Sequence, residues 1–203
     1  NAAMRRRLLD ACAFDWSAIS PAIFGSLFQS VVIAAARRAA GAHYTTEKNI
    51  LKVIGPLFLD DLRAEFARLA ARKDSRRRVE LAAFQRRLGA LTFFDPACGC
   101  GNFLIIAYRE LRLLELDLLR ELRAYIDDTR TMEIDAADLS VVNVDQFYGI
   151  EIGEFPARIA ETALWMMDHI MNSRVSLEFG QSYVRIPLRK APRILHADAL
   201  ESD

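Results

Sequence analysis

The sequence predicts an α/β fold: a parallel sheet wound by helical crossovers, preceded by a helical N-terminal region. Three observations predict it. First, a short apolar run ending in an acid, Leu91-Thr92-Phe93-Phe94-Asp95, passes directly into a glycine turn and then a long amphipathic helix, the pattern of a buried parallel strand feeding a crossover. Second, two further strand-like runs, Asn143–Glu151 and Arg193–Ala197, are separated by a helical stretch, Pro156–Asn172. Third, before Leu91 the apolar residues recur at helical spacing. Strand, glycine turn, helix, strand, acid, helix, strand is the opening of a doubly wound sheet. Residues 1–88 therefore read as a helical region and 89–203 as the α/β region.

Taken in order, Leu8, Leu9 and Cys12 share one helical face, and the residues before Met4 are left out of the fold reading. Asp15-Trp16-Ser17 offers a cap before a helix with Pro21 in its first turn and Phe28, Val32 and Ala36 beyond. Gly41-Ala42-His43-Tyr44-Thr45-Thr46 breaks that periodicity. Thr45 or Thr46 caps the next helix, whose apolar face is Ile50, Leu51, Ile54, Leu57 and Phe58, with Gly55-Pro56 expected to kink or divide it. Residues 60–90 are charged and helical, and their cluster Arg72, Lys73, Arg76, Arg77, Arg78 reads first as a solvated face. The helix from Phe103 to about Tyr125 turns Leu104, Leu111, Leu114, Leu118 and Leu122 inward, and an acidic loop follows over 127–140. On the second crossover, Trp165, Met166, Met167, His169 and Met171 read as packing residues.

Composition narrows the function. With 203 residues, 52% hydrophobic and 27% charged, the chain is globular and long enough to bury a core without staples. Lys plus Arg and Asp plus Glu are 27 each, so the basic excess of a free-standing nucleic-acid module is missing. Three cysteines, Cys12, Cys98 and Cys100, form no disulfide framework and suit a reducing compartment. No run approaches the roughly 18 apolar residues of a membrane span, and the N-terminus lacks a signal peptide's pattern. A cytoplasmic protein without membrane contact is expected.

The chemistry concentrates at three strand ends. In Asp95-Pro96-Ala97-Cys98-Gly99-Cys100-Gly101-Asn102-Phe103-Leu104, two glycines let the backbone approach a ligand, and the turn opens a helix whose free N–H groups favour a carboxylate or phosphate. Leu104 stands where a dinucleotide fingerprint needs its third glycine. Asp95 repels phosphate and attracts an ammonium. A ligand with both an ammonium and a carboxylate is an amino acid moiety, and S-adenosylmethionine fits. Glu151, ending Tyr148-Gly149-Ile150-Glu151-Ile152, suits the two hydroxyls of a ribose, with Ile150 or Ile152 against an adenine face. Asp198, in His196-Ala197-Asp198-Ala199-Leu200, suits the adenine amino group. Cys98 and Cys100 are too closely spaced for a zinc pair and read as small buried residues of the turn; no metal site is expected. His43 reads equally as a ligand contact or as a cap, and Asn102 and Phe103 as helix-starting residues or contacts.

These residues resemble a known family. Asp95 through Leu104 is similar to motif I of amino-methylating DNA methyltransferases, in the form typical of adenine-N6 enzymes; Tyr148–Ile152 resembles their motif II and His196–Leu200 their motif III. Gly41 through Thr46 resembles the segment that, in this circularly arranged class, precedes motif I and closes over the methionine end of the cofactor. The whole chain resembles the methyltransferase region of large single-chain restriction–modification enzymes, which usually carry a nuclease region before it and a target recognition region after it. The resemblance implies a Rossmann-like sheet of which 89–203 is the N-terminal half, and S-adenosylmethionine as cofactor. It implies cofactor contacts at His43, Tyr44, Thr45, Thr46, Asp95, Pro96, Ala97, Cys98, Gly99, Gly101, Asn102, Phe103, Glu151, Ile152, Asp198 and Ala199. It also implies methylation of adenine N6 in double-stranded DNA, bound through regions outside these residues. Alternatives are a methyltransferase acting on RNA, protein or a small molecule, and a non-catalytic cofactor-binding domain.

One family element is absent: no two of the six prolines are adjacent, so the Asn or Asp-Pro-Pro-aromatic motif that holds a flipped base is not found. No catalytic residue can be assigned. The resemblance places that motif beyond Asp203, which leaves an inactive part of a larger enzyme, an incomplete sheet, and an exposed edge prone to self-association.

Overall fold

The computed structural model describes residues 2–13, 23, 45–123, 140–179 and 191–201. Helix α1 spans Ala2–Ala13; α2 spans Glu47–Ile54 and passes through a π-helical turn, Gly55–Leu59, into α3, Asp60–Ala70. Helix α4, Arg77–Ala90, leads to strand β1, Phe93–Asp95. Helix α5, Asn102–Arg123, and a 3₁₀ turn, Val144–Gln146, precede β2, Phe147–Glu151; α6, Glu154–Phe179, precedes β3, Arg193–His196. The sheet is parallel in the order β1-β2-β3, with Asp95 beside Gly149 and Glu151 beside His196. The expected cap at Asp15–Ser17, the helix through Val32 and nearly all of the acidic loop lie outside the described residues.

Four expectations are refined. At Gly55-Pro56 the helix does not divide: Pro56 has no N–H to donate, and the chain widens into a π turn before resuming at Asp60. That turn delivers Phe58 against Phe93, with ring centroids 5.0 Å apart. The strand expected from Asn143 begins at Phe147, because Asn143 and Gln146 form a reciprocal capping box around the 3₁₀ turn. The Gln146 amide then donates to the carbonyls of Leu88 (2.9 Å) and Leu91 (2.7 Å), fixing the end of α4 against the start of β2. Helix α6 runs to Phe179 rather than Asn172, since Val175 and Ser176 continue its buried face. Trp165 and Met166 are not core: Trp165 is half-buried and Met166 exposed, while Met167 and Met171 are buried as expected.

Both crossover helices pack on the same side of the sheet and against each other. One apolar core joins Ile50, Ile54 and Leu59 of the preceding helices to Leu104, Ile105, Leu111 and Leu118 of α5, Phe147 of β2 and Ala160, Leu164 and Met167 of α6. Phe93 stacks on Phe147 at 5.0 Å and Tyr108 meets Phe147 edge-on at 5.3 Å, geometries that add to simple burial. The opposite sheet face is uncovered among the described residues, with Phe94 62% and Leu195 52% exposed.

Within this apolar layer lies a polar joint that helical periodicity does not announce. Arg112, fully buried, donates to Tyr108 Oη (2.8 Å), the Val142 carbonyl (3.3 Å), Asp168 Oδ1 (3.2 Å) and Asn172 Oδ1 (2.7 Å). Tyr108 donates to Asp168 at 2.5 Å. Glu115, equally buried, accepts from the Ser140 hydroxyl and from the amides of Val141 (2.6 Å) and Val142 (3.1 Å). Burial pushes the Glu115 carboxyl up, against the pull of Arg112 and these donors.

Candidate functional site

The site is built at the carboxyl ends of the strands, where open α/β sheets take ligands. Beyond Asp95 the chain bends over β2: Cys98 N–H donates to the Ile150 carbonyl at 3.0 Å, prolonging the β1–β2 pairing. Gly101 N–H donates back to the Cys98 carbonyl (2.8 Å), and Ile105 N–H to Gly101 (2.8 Å) starts α5. This path requires left-handed backbone at Gly99 (φ 56°) and Gly101 (φ 79°), which side-chain-bearing residues rarely adopt. Their surroundings differ. A Cβ on Gly101 would lie 2.9 Å from Ala160 Cβ of α6, whereas a Cβ on Gly99 would meet nothing within 4 Å. Gly101 is a packing contact; among the described residues nothing lies over Gly99. Cys98 sits over Gly149, whose added Cβ would lie 2.8 Å from its sulfur.

The acids converge on this turn. Asp95 Oδ1 accepts from Ala97 N–H at 3.1 Å; burial pushes its carboxyl up, the Ala97 bond opposes this, and the Glu151 carboxylate raises it further. Glu151 Oε2 accepts from Gly99 N–H at 2.9 Å and Oε1 from Gly153 N–H at 2.8 Å. Burial, with the nearby acids, pushes the Cys98 thiol up to about 12 and the Cys100 thiol to about 11. Neither is a thiolate nucleophile at neutral pH. The Asn102 side-chain oxygen is buried at the start of α5 without a hydrogen-bond partner among the described residues, and Phe103 is half-buried against the core. Pro96 and Ala97 are exposed.

At the other strand ends, Ile152 is 68% exposed beside the turn. Its carbonyl lies 3.1 Å from His196 Nε2, and Ala197 N–H donates to the Glu151 carbonyl at 3.0 Å. Asp198 Oδ1 accepts from Leu200 N–H at 2.9 Å, closing its own turn, with Ala199 half-buried. His43 and Tyr44 lie outside the described residues. Thr45 is half-buried and Thr46 exposed. Thr46 occupies the cap position of α2 without a side-chain capping bond; its carbonyl accepts from Asn49 and Ile50.

An ionic network missed by sequence reasoning ties that helix start to the helix carrying the glycine turn. Arg109 of α5 pairs with Glu47 (2.7 Å) and Glu110 (2.6 Å), and Glu110 with Arg63 of α3 (2.7 Å). These partners come from three separated segments, so no local pattern signals them. The basic cluster Arg72–Arg78 is remote from the glycine turn: Arg77 bonds Glu121, near the far end of α5, roughly 30 Å along the helix axis from Asn102 at 1.5 Å per residue.

A glycine turn leading from one parallel strand into a helix, flanked by carboxylates at successive strand ends, defines a parallel α/β sheet whose strand ends form the candidate site. Comparison with known proteins makes this specific. Residues 69–203 match the family described as the MmeI DNA-methyltransferase domain, and the chain belongs to that family. It is 39% identical over 202 residues to DNA methyltransferase A of Bacillus subtilis (strain 168), covering 98% of this chain and 22% of that protein. A putative type II restriction enzyme and methyltransferase of Methanocaldococcus jannaschii is 30% identical over 108 residues, 53% of this chain and 8% of that one. Among solved structures, the type IIL restriction–modification enzyme MmeI in complex with DNA superposes with a TM-score of 0.87 at 56% identity, covering 99% of this chain and 26% of that one. The chain thus spans about a quarter or less of the length of these relatives.

Proposed function

We propose that this chain holds S-adenosylmethionine for methyl transfer to adenine N6 in double-stranded DNA, as part of a restriction–modification enzyme of the cytoplasm. In this reading the three strands open a Rossmann-like sheet, residues 1–88 precede it as a helical region, and 89–203 form its first half. The observation that carries the reading is the convergence of Asp95 and Glu151 on a glycine turn with free space over Gly99. The orphaned Asn102 oxygen at the mouth of α5 also fits a site completed by a polar ligand. When bound, the cofactor supplies a sulfonium-activated methyl group.

The chain's own residues have separate tasks. Asp95 binds the methionine ammonium, and the backbone of residues 96–99 and 101, with Asn102 and Phe103 at the helix start, lines its amino acid end. Glu151 accepts the ribose hydroxyls, Ile152 covers the adenine, and Asp198, with Ala199, takes its amino group. His43, Tyr44, Thr45 and Thr46 close over the methionine end. DNA contacts and the target-base pocket come from regions outside these 203 residues, consistent with a formal charge of zero. Because no adjacent prolines occur, these residues alone are expected to transfer no methyl group. Lacking a second stacking face, they are expected to bind the cofactor roughly tenfold to hundredfold more weakly than a complete site, from about 1–3 kcal/mol of stacking. The outer edge of β1, unpaired among the described residues, favours self-association of this chain on its own.

The test is calorimetry with S-adenosylmethionine on the 203-residue chain and on Asp95→Ala, beside a tritium-transfer assay. For the whole protein, the methylated DNA is digested and its nucleosides identified. Binding abolished by Asp95→Ala and N6-methyladenine as product are expected. Equal binding by the variant, methyl transfer by the 203 residues alone, or a methylated cytosine would each contradict the corresponding part of the reading.

A further inference from the structure

The two bonds of Glu151 point to a second task for this side chain. Its carboxylate joins two loops: one oxygen accepts from Gly99 N–H at 2.9 Å and the other from Gly153 N–H at 2.8 Å. The rest of the glycine turn is fixed by other means. Cys98 is held by its bond to Ile150 and Gly101 by its bond to Cys98, while the close approaches of Cys98 to Gly149 and of Gly101 to Ala160 fix the flanks. Gly99 has no side chain to pack, and among the described residues the space above it is open. Its described tether to the strand below is the Glu151 carboxylate.

We propose that Glu151 is a positioning residue for the glycine turn as well as a ligand acceptor: it braces Gly99 against the loop after β2 and so sets the amino acid end of the pocket. The proposal rests on the cofactor reading above for its consequence on binding, but the brace itself is independent of that reading. The chemistry permits both tasks at once. An ionised carboxylate has about four acceptor positions, and two backbone N–H groups use two, one on each oxygen. The pair that remains suits a vicinal diol, and the bonded amides orient the carboxylate in advance, which lowers the ordering cost of binding. Glutamine cannot substitute, because one oxygen becomes an NH₂ group facing a donor. Aspartate keeps the charge but is one methylene short of both amides.

The experiment compares the whole protein with its E151Q and E151D variants by hydrogen-exchange mass spectrometry without ligand, then by calorimetry. The calorimetric probes are S-adenosylmethionine and its 2′,3′-dideoxy counterpart. Exchange across 96–104 is expected to rise about tenfold in both variants, as for loss of one charge-assisted bond, with 105–119 unchanged. The dideoxy compound, which has no diol for Glu151 to accept, is expected to bind the variants about tenfold more weakly than the wild type. Unchanged exchange across 96–104 would overturn the brace whatever the binding shows, and measurable but equal binding of the dideoxy compound to all three proteins would overturn its role in setting the pocket. Loss of protection along the whole chain in both variants would overturn it too, making Glu151 a general determinant of folding. Faster exchange across 96–104 with no binding of either compound to the wild type would leave the brace standing and remove the cofactor reading.

Discussion

Gly99 and Gly101 are two residues apart in one turn, yet alanine at each should fail for a different reason. Both have positive φ, 56° and 79°, so either substitution carries the left-handed penalty of about 1–2 kcal/mol. At Gly99 nothing further is added, because the new methyl group enters open space. At Gly101 it meets Ala160 Cβ at 2.9 Å and Ala160 Cα at 3.1 Å; α6 would have to withdraw from α5, a further 1–3 kcal/mol or so for overpacking. Gly101→Ala should therefore lose about 2–5 kcal/mol and Gly99→Ala about 1–2, read as shifts in the urea midpoint followed by circular dichroism. Binding should rank differently. The Gly99 methyl occupies the space proposed for the cofactor, so calorimetry should show loss of S-adenosylmethionine binding at temperatures where that variant remains folded. Equal stability losses would refute the packing argument, and undiminished binding by Gly99→Ala would refute the placement of the ligand.

Cofactor affinity should fall on acidification as Asp95 takes up a proton. Burial and then the Glu151 carboxylate raise its pKa, so the fall begins at higher pH than for an ordinary aspartate and approaches tenfold per pH unit below the folded pKa. For the free protein the sign is opposite: a raised carboxylate pKa makes Asp95's contribution to stability decrease as pH rises from its unfolded to its folded pKa. Calorimetry across pH 4 to 8 should show the affinity loss in the wild type and a flat, weak profile in Asp95→Asn. Arg112→Met leaves the buried Glu115 and the half-buried Asp168 without their cation and should cost about 3–5 kcal/mol; a midpoint shift worth less than about 1 kcal/mol would show the joint to be dispensable. Self-association through β1 should appear as a concentration-dependent sedimentation coefficient for the 203-residue chain, and a clean monomer at high concentration would count against it.

How much of this was legible in the sequence depends on range. Strands β1, β2 and β3 and the glycine turn are local patterns, a few apolar residues closed by an acid, and they lie within a few residues of where the pattern puts them. The polar joint was not legible. In Leu111-Arg112-Leu113-Leu114-Glu115-Leu116 the charges look like the outward side of an amphipathic helix, yet Arg112 and Glu115 are both 1% exposed. Their burial is decided by Asp168 and Asn172 on α6 and by Ser140–Val142 before β2, partners that no local pattern ties to α5. The acid at 151 was visible as a strand-end carboxylate, but its bond to Gly99 needed the register of β1 on β2. Trp165 misled because aromatic size predicts burial on average, whereas its place on α6 leaves it only half-buried.

The joint at Arg112 also constrains how α5 and α6 can move. A seam of leucines alone tolerates slippage, because one methyl group replaces another when a helix shifts by a turn. Arg112 abolishes that freedom: its guanidinium must meet Asp168 and Asn172, one turn apart on the same face of α6, while the same helix keeps Glu115 against the Val141 and Val142 amides. A slide of one turn would leave buried charges facing hydrocarbon. The pair of helices behaves as a keyed shaft, and any rearrangement that accompanies ligand capture must carry them as one body. Leucines along the seam can be exchanged for other apolar residues, but the pitch at which the glycine turn is presented is set by Arg112, about three helical turns beyond Gly101.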